Sequence, residues 1–326
     1  MTDLKQKIIA AVADDVDAIE KALADNLKPH FDLVSDVAGH ILFAGGKRLR
    51  PLLMVLCARL CGFSGDQVVR FSTIFEYLHA ATLLHDDLVD GADLRRGRQV
   101  AHQKWDNPTA VLTGDFLLAR GLSIAADTGL NEVIRTIARI TENMSQGEIR
   151  QLERKGDVTL SEDAYVEVIR CKTAVLFQGA CRTGALVAGA GTDIVQALTD
   201  FGYHLGLAFQ MADDLLDYTQ DSRSLGKRAG ADLREGKMTL PLIHAFSHAP
   251  DGQREHMVSI LKNPDFTPAE FAEFVDMLHR YGGIAYTRSL AAEHIQTATA
   301  ALDAFDHGPV REILTDIADY ALVRNA

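Results

Sequence analysis

Apolar residues recur along this chain at helical spacing. Ile8, Ile9, Val12, Val16, Ile19 and Leu23 stand three or four residues apart and share one face of a predicted helix. Leu52–Leu60 is apolar and follows Pro51, a residue suited to a first helical turn. From Phe71 to Leu84 nearly every position is apolar, apart from Glu76, His79 and small hydroxyl residues. A helix apolar all round is a buried central helix. Further helical stretches are predicted over Ala110–Ala126, Glu132–Leu152, Tyr165–Ala190, Ile194–Tyr218, Leu240–Phe246, Pro268–Tyr281, Ile284–Ala304 and Val310–Val323. Alternating runs joined by Asn-Gly or Asp-Gly turns are missing, so few strands are expected. The predicted loops are Phe43–Arg50, Gly91–Pro108, Arg154–Ser161, Asp221–Lys237 and Ala249–Thr267. None reads as an interdomain linker, and no repeat of fixed period is visible. The expectation is a single all-α domain over residues 1–326, with long helices at its centre.

Composition narrows the classes. At 326 residues and 47% hydrophobic, the chain can bury a large core, which excludes disorder as its main state. Its 45 acids against 33 bases leave a net charge of −12, which argues against a nucleic-acid or anionic-membrane binder. Cys57, Cys61, Cys171 and Cys181 form neither a disulfide framework nor a paired zinc motif, and read as small apolar residues. Met1–Asp17 lacks the pattern of a signal peptide, so a cytoplasmic location is expected. No transmembrane segment is expected either: the nearest candidate, Thr173–Gly191, is broken by Gln178 and Arg182.

Two segments carry the same acidic pattern. Asp86-Asp87-Leu88-Val89-Asp90 and Asp213-Asp214-Leu215-Leu216-Asp217 each close a strongly apolar helix. On a helix, i and i+4 share a face, so Asp86 projects with Asp90, and Asp213 with Asp217. Asp87 and Asp214 point about a quarter-turn away. Carboxylates at a helix C-terminus oppose its dipole and repel one another. A hard divalent cation compensates both costs, and magnesium takes one or two carboxylates while bridging to phosphate. A single cluster would read as a solvated helix end; two alike favour the metal.

Cations suited to an anion lie nearby in sequence. Gly45-Gly46-Lys47-Arg48-Leu49-Arg50 precedes a helix start, Arg95-Arg96-Gly97-Arg98 follows the first acid cluster, and Lys227-Arg228 follows the second. Alone, the first run reads more readily as a basic surface loop, whereas basic groups next to metal-binding acids suit a diphosphate cradle. Lys172-Thr173 alone reads as a surface pair, and His79 and Gln210 alone read as satisfied polar groups on buried helices. His85 reads as a hydrogen-bond partner for the acids beside it.

Taken in order, these motifs resemble the trans-isoprenyl diphosphate synthase (polyprenyl synthetase) family, over most of the chain. The resemblance implies the isoprenoid synthase fold, long helices around a central cavity, and a homodimer. It assigns Asp86, Asp90 and Asp213 as ligands of about three magnesium ions. Asp87, Asp214 and Asp217 would support them through hydrogen bonds or metal-bound water. Arg95, Lys172 and Lys227 would contact an allylic diphosphate; Lys47, Arg50, His79 and Arg96 would hold isopentenyl diphosphate. Thr173 and Gln210 would lie beside the reacting carbons, so that Lys172, Thr173, Gln210 and Lys227 form the catalytic set. The implied reaction ionises the allylic diphosphate, joins the cation to isopentenyl diphosphate, and loses a proton.

The helix before Asp86 doubles as a ruler, since one turn rises about 5.4 Å, near the length of an isoprene unit. Short-product members of the family place an aromatic residue four or five positions before the first Asp. Here those positions are Thr82 and Ala81, both small. Tyr77, Leu78, Ile74 and Phe75 are candidates for the floor one or two turns deeper. The expectation is a long product, octaprenyl being the central value, for a quinone side chain. The alternatives are a short-chain farnesyl or geranylgeranyl synthase, a terpene cyclase, and a noncatalytic regulatory subunit.

Overall fold

The computed structural model describes residues 2–219 and 230–323. Its helices are α1 (Thr2–Leu27), α2 (Asp32–Leu42), α3 (Leu49–Leu60), α4 (Gln67–Val89), α5 (Ala101–Lys104), α6 (Asn107–Asp127), α7 (Asn131–Glu153), α8 (Glu162–Ile169), α9 (Val175–Val187) and α10 (Thr192–Thr219). Helices Ala231–Arg234, Leu240–His248, Asp251–Leu261, Pro268–Arg280, Gly283–Ala301 and Pro309–Val323 follow. The protein is all-α, as its periodicity predicts; among the described residues the strands are the two-residue pair β1 (Leu94–Arg95) and β2 (Arg98–Gln99).

The contacts sort into two compact units. The first comprises Met1–Thr141, Leu176–Gly202 and Ala301–Ile317; the second comprises Glu142–Val175, Tyr203–Ala300 and Ala318–Ala326. In the first, α4 is the buried axis that its composition predicts. Every residue from Phe71 to Leu78 is buried, Glu76 included. Tyr77 donates its hydroxyl to the Leu23 carbonyl of α1 at 2.6 Å, which fixes that ring against α1. Along its length α4 meets α6, the most extensive helix pairing among the described elements. Two glycines permit the approach: Gly121 lies against Leu78, and seven residues earlier Gly114 lies against His85. Leu117 and Ile124, also on α6, are fully buried.

The second unit is built on α8, the latter part of α10, and the helices Leu240–His248, Pro268–Arg280 and Gly283–Ala301. Phe274, Leu278, Leu205, Ala208 and Met211 have almost no exposure there. Thr267 and Glu270 form a reciprocal capping box that starts Pro268–Arg280.

Several segments depart from expectation, among them α2, which lies outside the predicted helices, and the short helix Ala231–Arg234 in the predicted loop Asp221–Lys237. The predicted loop Ala249–Thr267 contains the helix Asp251–Leu261, whose buried stripe is only Met257, Ile260 and Leu261 on a charged segment. The predicted loop Gly91–Pro108 contains α5 and a hairpin pairing Leu94 with Gln99 and Arg95 with Arg98. Arg96 (φ +51°) and Gly97 (φ +73°) form its turn, and positive φ at both central residues matches the right-handed strand twist. The predicted helix Tyr165–Ala190 is interrupted by a π-helical turn over Arg170–Ala174. Among the described residues, the helix long and apolar enough to cross a membrane is α6, not Thr173–Gly191; it packs along α4 and carries Asp115 and Arg120.

Candidate active site

The first acid cluster sits where α4 ends. The Asp90 N–H still donates to the Asp86 carbonyl at 2.8 Å, and Gly91, at φ +64°, turns the chain away. Asp86 and Asp90 are half-buried, whereas Asp87 is buried, as the helical angles predict. The hairpin returns Arg95 onto Asp87: Nε lies 2.8 and 3.0 Å from the two carboxylate oxygens, and Nη2 lies 2.7 Å from Oδ1. Asp87 thus anchors the hairpin that carries Arg95 and Arg96. His85 turns to α6, meeting the Val111 carbonyl at 3.1 Å and Asp115 at 3.5 Å.

The three basic residues of the Gly45–Arg50 loop have different environments. Arg48 is 3% exposed and left-handed (φ +48°). It donates to Glu20 of α1 at 2.6 and 3.0 Å, to Glu76 of α4 at 2.6 Å, and to the Leu42 carbonyl at 2.6 Å. Arg48 is therefore a structural clamp with its charge met by two acids, leaving Lys47 and Arg50 on either side of a fixed point. A Cβ on Gly46 would stand 3.3 Å from the Arg48 guanidinium and 3.5 Å from that of Arg96, so glycine lets the loop lie close to both. The Arg50 guanidinium stands 4.9 Å from the centre of the Phe177 ring.

His79, half-buried, reports how these cations gather. Burial first, and then the charges of Arg50, Arg95, Arg96 and Arg48, hold its imidazole well below the usual range, so it is neutral at pH 7. The structure therefore brings the predicted Arg50, His79 and Arg96 into one positive field. Burial and the neighbouring guanidinium charges also lower Arg96, against an opposing pull from Glu76. Such crowding of cations favours an anion.

In the second unit, Asp213 is exposed and Asp214 buried. Asp214 accepts from the Tyr165 hydroxyl at 2.6 Å and from Gln210 Nε2 at 2.7 Å. Burial, then the nearby Asp232 charge, raises its carboxyl, while the hydrogen bonds from Tyr165 and Gln210 favour its ionised form. Thr173 donates to Gln210 Oε1 at 2.7 Å, so the predicted Thr173, Gln210 and Asp214 are joined in one chain. Asp217 accepts from the backbone N–H groups of Ala231 and Asp232, each at 3.0 Å, and so ties down the helix Ala231–Arg234. Lys227 lies outside the described residues.

The π-helical turn sets this geometry. Such turns insert an extra residue and recur at functional sites. Lys172, within it, reaches Glu148 of α7 at 2.6 Å and Gln151 at 2.9 Å. A Cβ on Gly147 would fall 2.7 Å from Cys171 Cβ and 3.2 Å from the Lys172 N, so glycine is what lets α7 meet the turn. Tyr165, Glu148, Gln151 and the clamp role of Arg48 are not foreshadowed by the motifs, because each depends on contact between distant segments.

Of the predicted chain-length residues, Ala81, Leu78 and Tyr77 are fully buried. Tyr77 is committed to α1 through its hydroxyl, and the Thr82 hydroxyl donates to the His79 carbonyl at 2.9 Å.

The donor chemistry of both clusters fits magnesium. The acids offer hard oxygens, and among the described residues no three His, Cys, Asp or Glu side chains close into a cage. A pair of carboxylates completed by water and phosphate oxygen is the coordination magnesium accepts.

Comparison with known proteins agrees with these features. The polyprenyl synthetase family model matches residues 31–278. The chain is 35% identical to the octaprenyl diphosphate synthase of Escherichia coli K12 over 320 residues, 98% of this chain and 99% of that one. It is 36% identical to an all-trans-nonaprenyl-diphosphate synthase of Rhodobacter capsulatus over 323 residues, 99% of this chain and 98% of that one. Among solved structures, a polyprenyl synthase of Caulobacter crescentus CB15, complexed with calcium and isoprenyl diphosphate, superposes with a TM-score of 0.92 at 38% identity, covering 98% of both chains. The chain belongs to the polyprenyl synthetase family and is a prenyltransferase of the isoprenoid-synthase fold.

Proposed function

We propose that this enzyme condenses an allylic diphosphate with successive isopentenyl diphosphates into a long all-trans polyprenyl diphosphate, octaprenyl in length, for a quinone side chain. The observation that carries the reading is the first unit itself: an Asp-Asp-x-x-Asp cluster at the end of α4, beside a field of arginines around a neutral histidine. Full-length similarity to long-chain synthases supports it. Small residues at Ala81 and Thr82 favour the long product over a farnesyl or geranylgeranyl synthase. Two intact acid clusters disfavour a noncatalytic subunit.

Asp86, Asp90 and Asp213 would hold magnesium, about three ions per active site. Magnesium bound there would supply Lewis-acid neutralisation of the diphosphate leaving group. Arg95, Lys172 and Lys227 bind the allylic diphosphate. Lys47, Arg50 and Arg96 bind isopentenyl diphosphate, and neutral His79 adds a hydrogen bond to it. Thr173 and Gln210 face the carbon that becomes cationic, and their oriented dipoles stabilise it. The isopentenyl double bond attacks that carbon. One proton then leaves to the released diphosphate, restoring a longer allylic diphosphate; no Ser, Cys or His nucleophile is needed. The working enzyme is a cytoplasmic homodimer.

The test is turnover of the purified chain with magnesium, farnesyl diphosphate and isopentenyl diphosphate. Asp86→Ala and Asp213→Ala should each lower condensation by at least about 100-fold, the scale of losing a principal electrostatic stabiliser. Unchanged turnover in both would refute the metal assignment.

A further inference from the structure

We propose that Tyr165, outside every sequence motif, is a positioning residue for carbon–carbon bond formation: through Asp214 and Gln210 it orients the Thr173 hydroxyl toward the reacting cation. This rests on the synthase reading above.

Hydrogen-bond direction sets this orientation. A glutamine amide has two unlike ends: Nε2 only donates and Oε1 only accepts. Gln210 Nε2 donates to Asp214 Oδ1 at 2.7 Å, so Oε1 is the end presented to Thr173. The Thr173 hydroxyl must then point its one proton at Gln210. That leaves its oxygen lone pairs, and not its proton, for whatever lies on the remaining side, which is the arrangement a developing carbocation requires. With the amide reversed, Thr173 would accept from Nε2 and turn its proton outward.

What keeps the amide from reversing is the fixity of Asp214. Its Oδ1 faces Gln210, and its Oδ2 receives the Tyr165 hydroxyl at 2.6 Å. Tyr165 is 3% exposed, on α8, and so has little freedom to move. The chain Tyr165–Asp214–Gln210–Thr173 joins α8, α10 and the π-helical turn, each link between 2.6 and 2.7 Å. Chains of this kind orient more firmly than isolated pairs.

Tyr165→Phe keeps the ring and deletes the donor. In the full-length enzyme it should lower kcat about tenfold, the scale of losing a group that orients a reacting one. The KM values for farnesyl and isopentenyl diphosphate, the magnesium dependence and the thermal midpoint should stay near those of the parent. In a Thr173→Ala background the same change should alter kcat by less than about twofold, because no hydroxyl remains to orient. A tenfold loss that persists in that background, a kcat unchanged by Tyr165→Phe, or a matching loss of magnesium affinity would each overturn the proposal. Wild-type condensation in the same assay tests the synthase reading separately. Independent of turnover, the 15N side-chain amide resonances of Gln210 should show a hydrogen-bonded Nε2 in the parent and shift toward free-amide values in Tyr165→Phe; unchanged resonances would also overturn it.

Discussion

Glu76 is buried midway along α4, and Arg48 meets it there at 2.6 Å across 28 residues of chain. The pair joins α4 to the loop that carries Lys47 and Arg50, while Glu20 ties the same guanidinium to α1. Arg48→Met should destabilise the fold by about 3 kcal/mol, because it leaves a buried carboxylate without its cation. Arg48→Met with Glu76→Met should recover much of that loss, since an apolar pair removes both buried charges. Urea unfolding of the two variants gives the comparison.

Gly114→Ala should be costly for a local reason. The added Cβ would collide with His85 Nε2, which meets the Val111 carbonyl. Displacing that ring should cost about 1–3 kcal/mol, the range for overpacking. The obstacle is the far end of one side chain, so His85→Ala combined with Gly114→Ala should be close in stability to His85→Ala alone. Thermal unfolding of the single and double variants checks this.

Ala81→Phe should shorten the product. Ala81 is fully buried one turn above Tyr77, whose ring is fixed by the Leu23 carbonyl. A phenyl group there takes the space of at least one isoprene unit if the ruler assignment holds. Chromatography of the dephosphorylated alcohols should show the distribution moving to fewer units, and an unchanged distribution would reject Ala81 as a ruler position.

Acid should weaken the second unit through His294. Its Nδ1 lies 2.8 Å from that of His204, and burial, then His204, pushes its value down from 6.5 to about 4. The unfolded chain therefore binds more protons than the folded chain between those values. His294 contributes its full stability above pH 6.5 and loses it as pH falls toward 4. The thermal midpoint should drop across that window, and His294→Gln should flatten the drop.

Most of the long helices and both acid clusters were legible because each has a local signature: apolar residues at a 3.6-residue period, and acids at i, i+1 and i+4 against the helix dipole. The helix Asp251–Leu261 was not, because only three of its side chains are buried and most of the rest are polar or charged. The hairpin at Leu94–Gln99 escaped because its turn is Arg96-Gly97, where left-handed geometry is borne by arginine and not by Asn or Asp. Arg48 looked like one basic residue among three; its difference lies in Glu20 and Glu76, 28 residues away on either side. Tyr165 carried no signal, since its partner Asp214 stands 49 residues further on. Residues that touch substrate have chemistry to declare them, whereas residues that orient others are defined by tertiary contact.

Repeated condensation to a long chain is tested by the mass of the product formed from farnesyl diphosphate, excess isopentenyl diphosphate and magnesium. The expected product is a polyprenyl diphosphate in the heptaprenyl-to-decaprenyl range, centred on octaprenyl. A product that stops at geranylgeranyl, or no condensation at all, would contradict it.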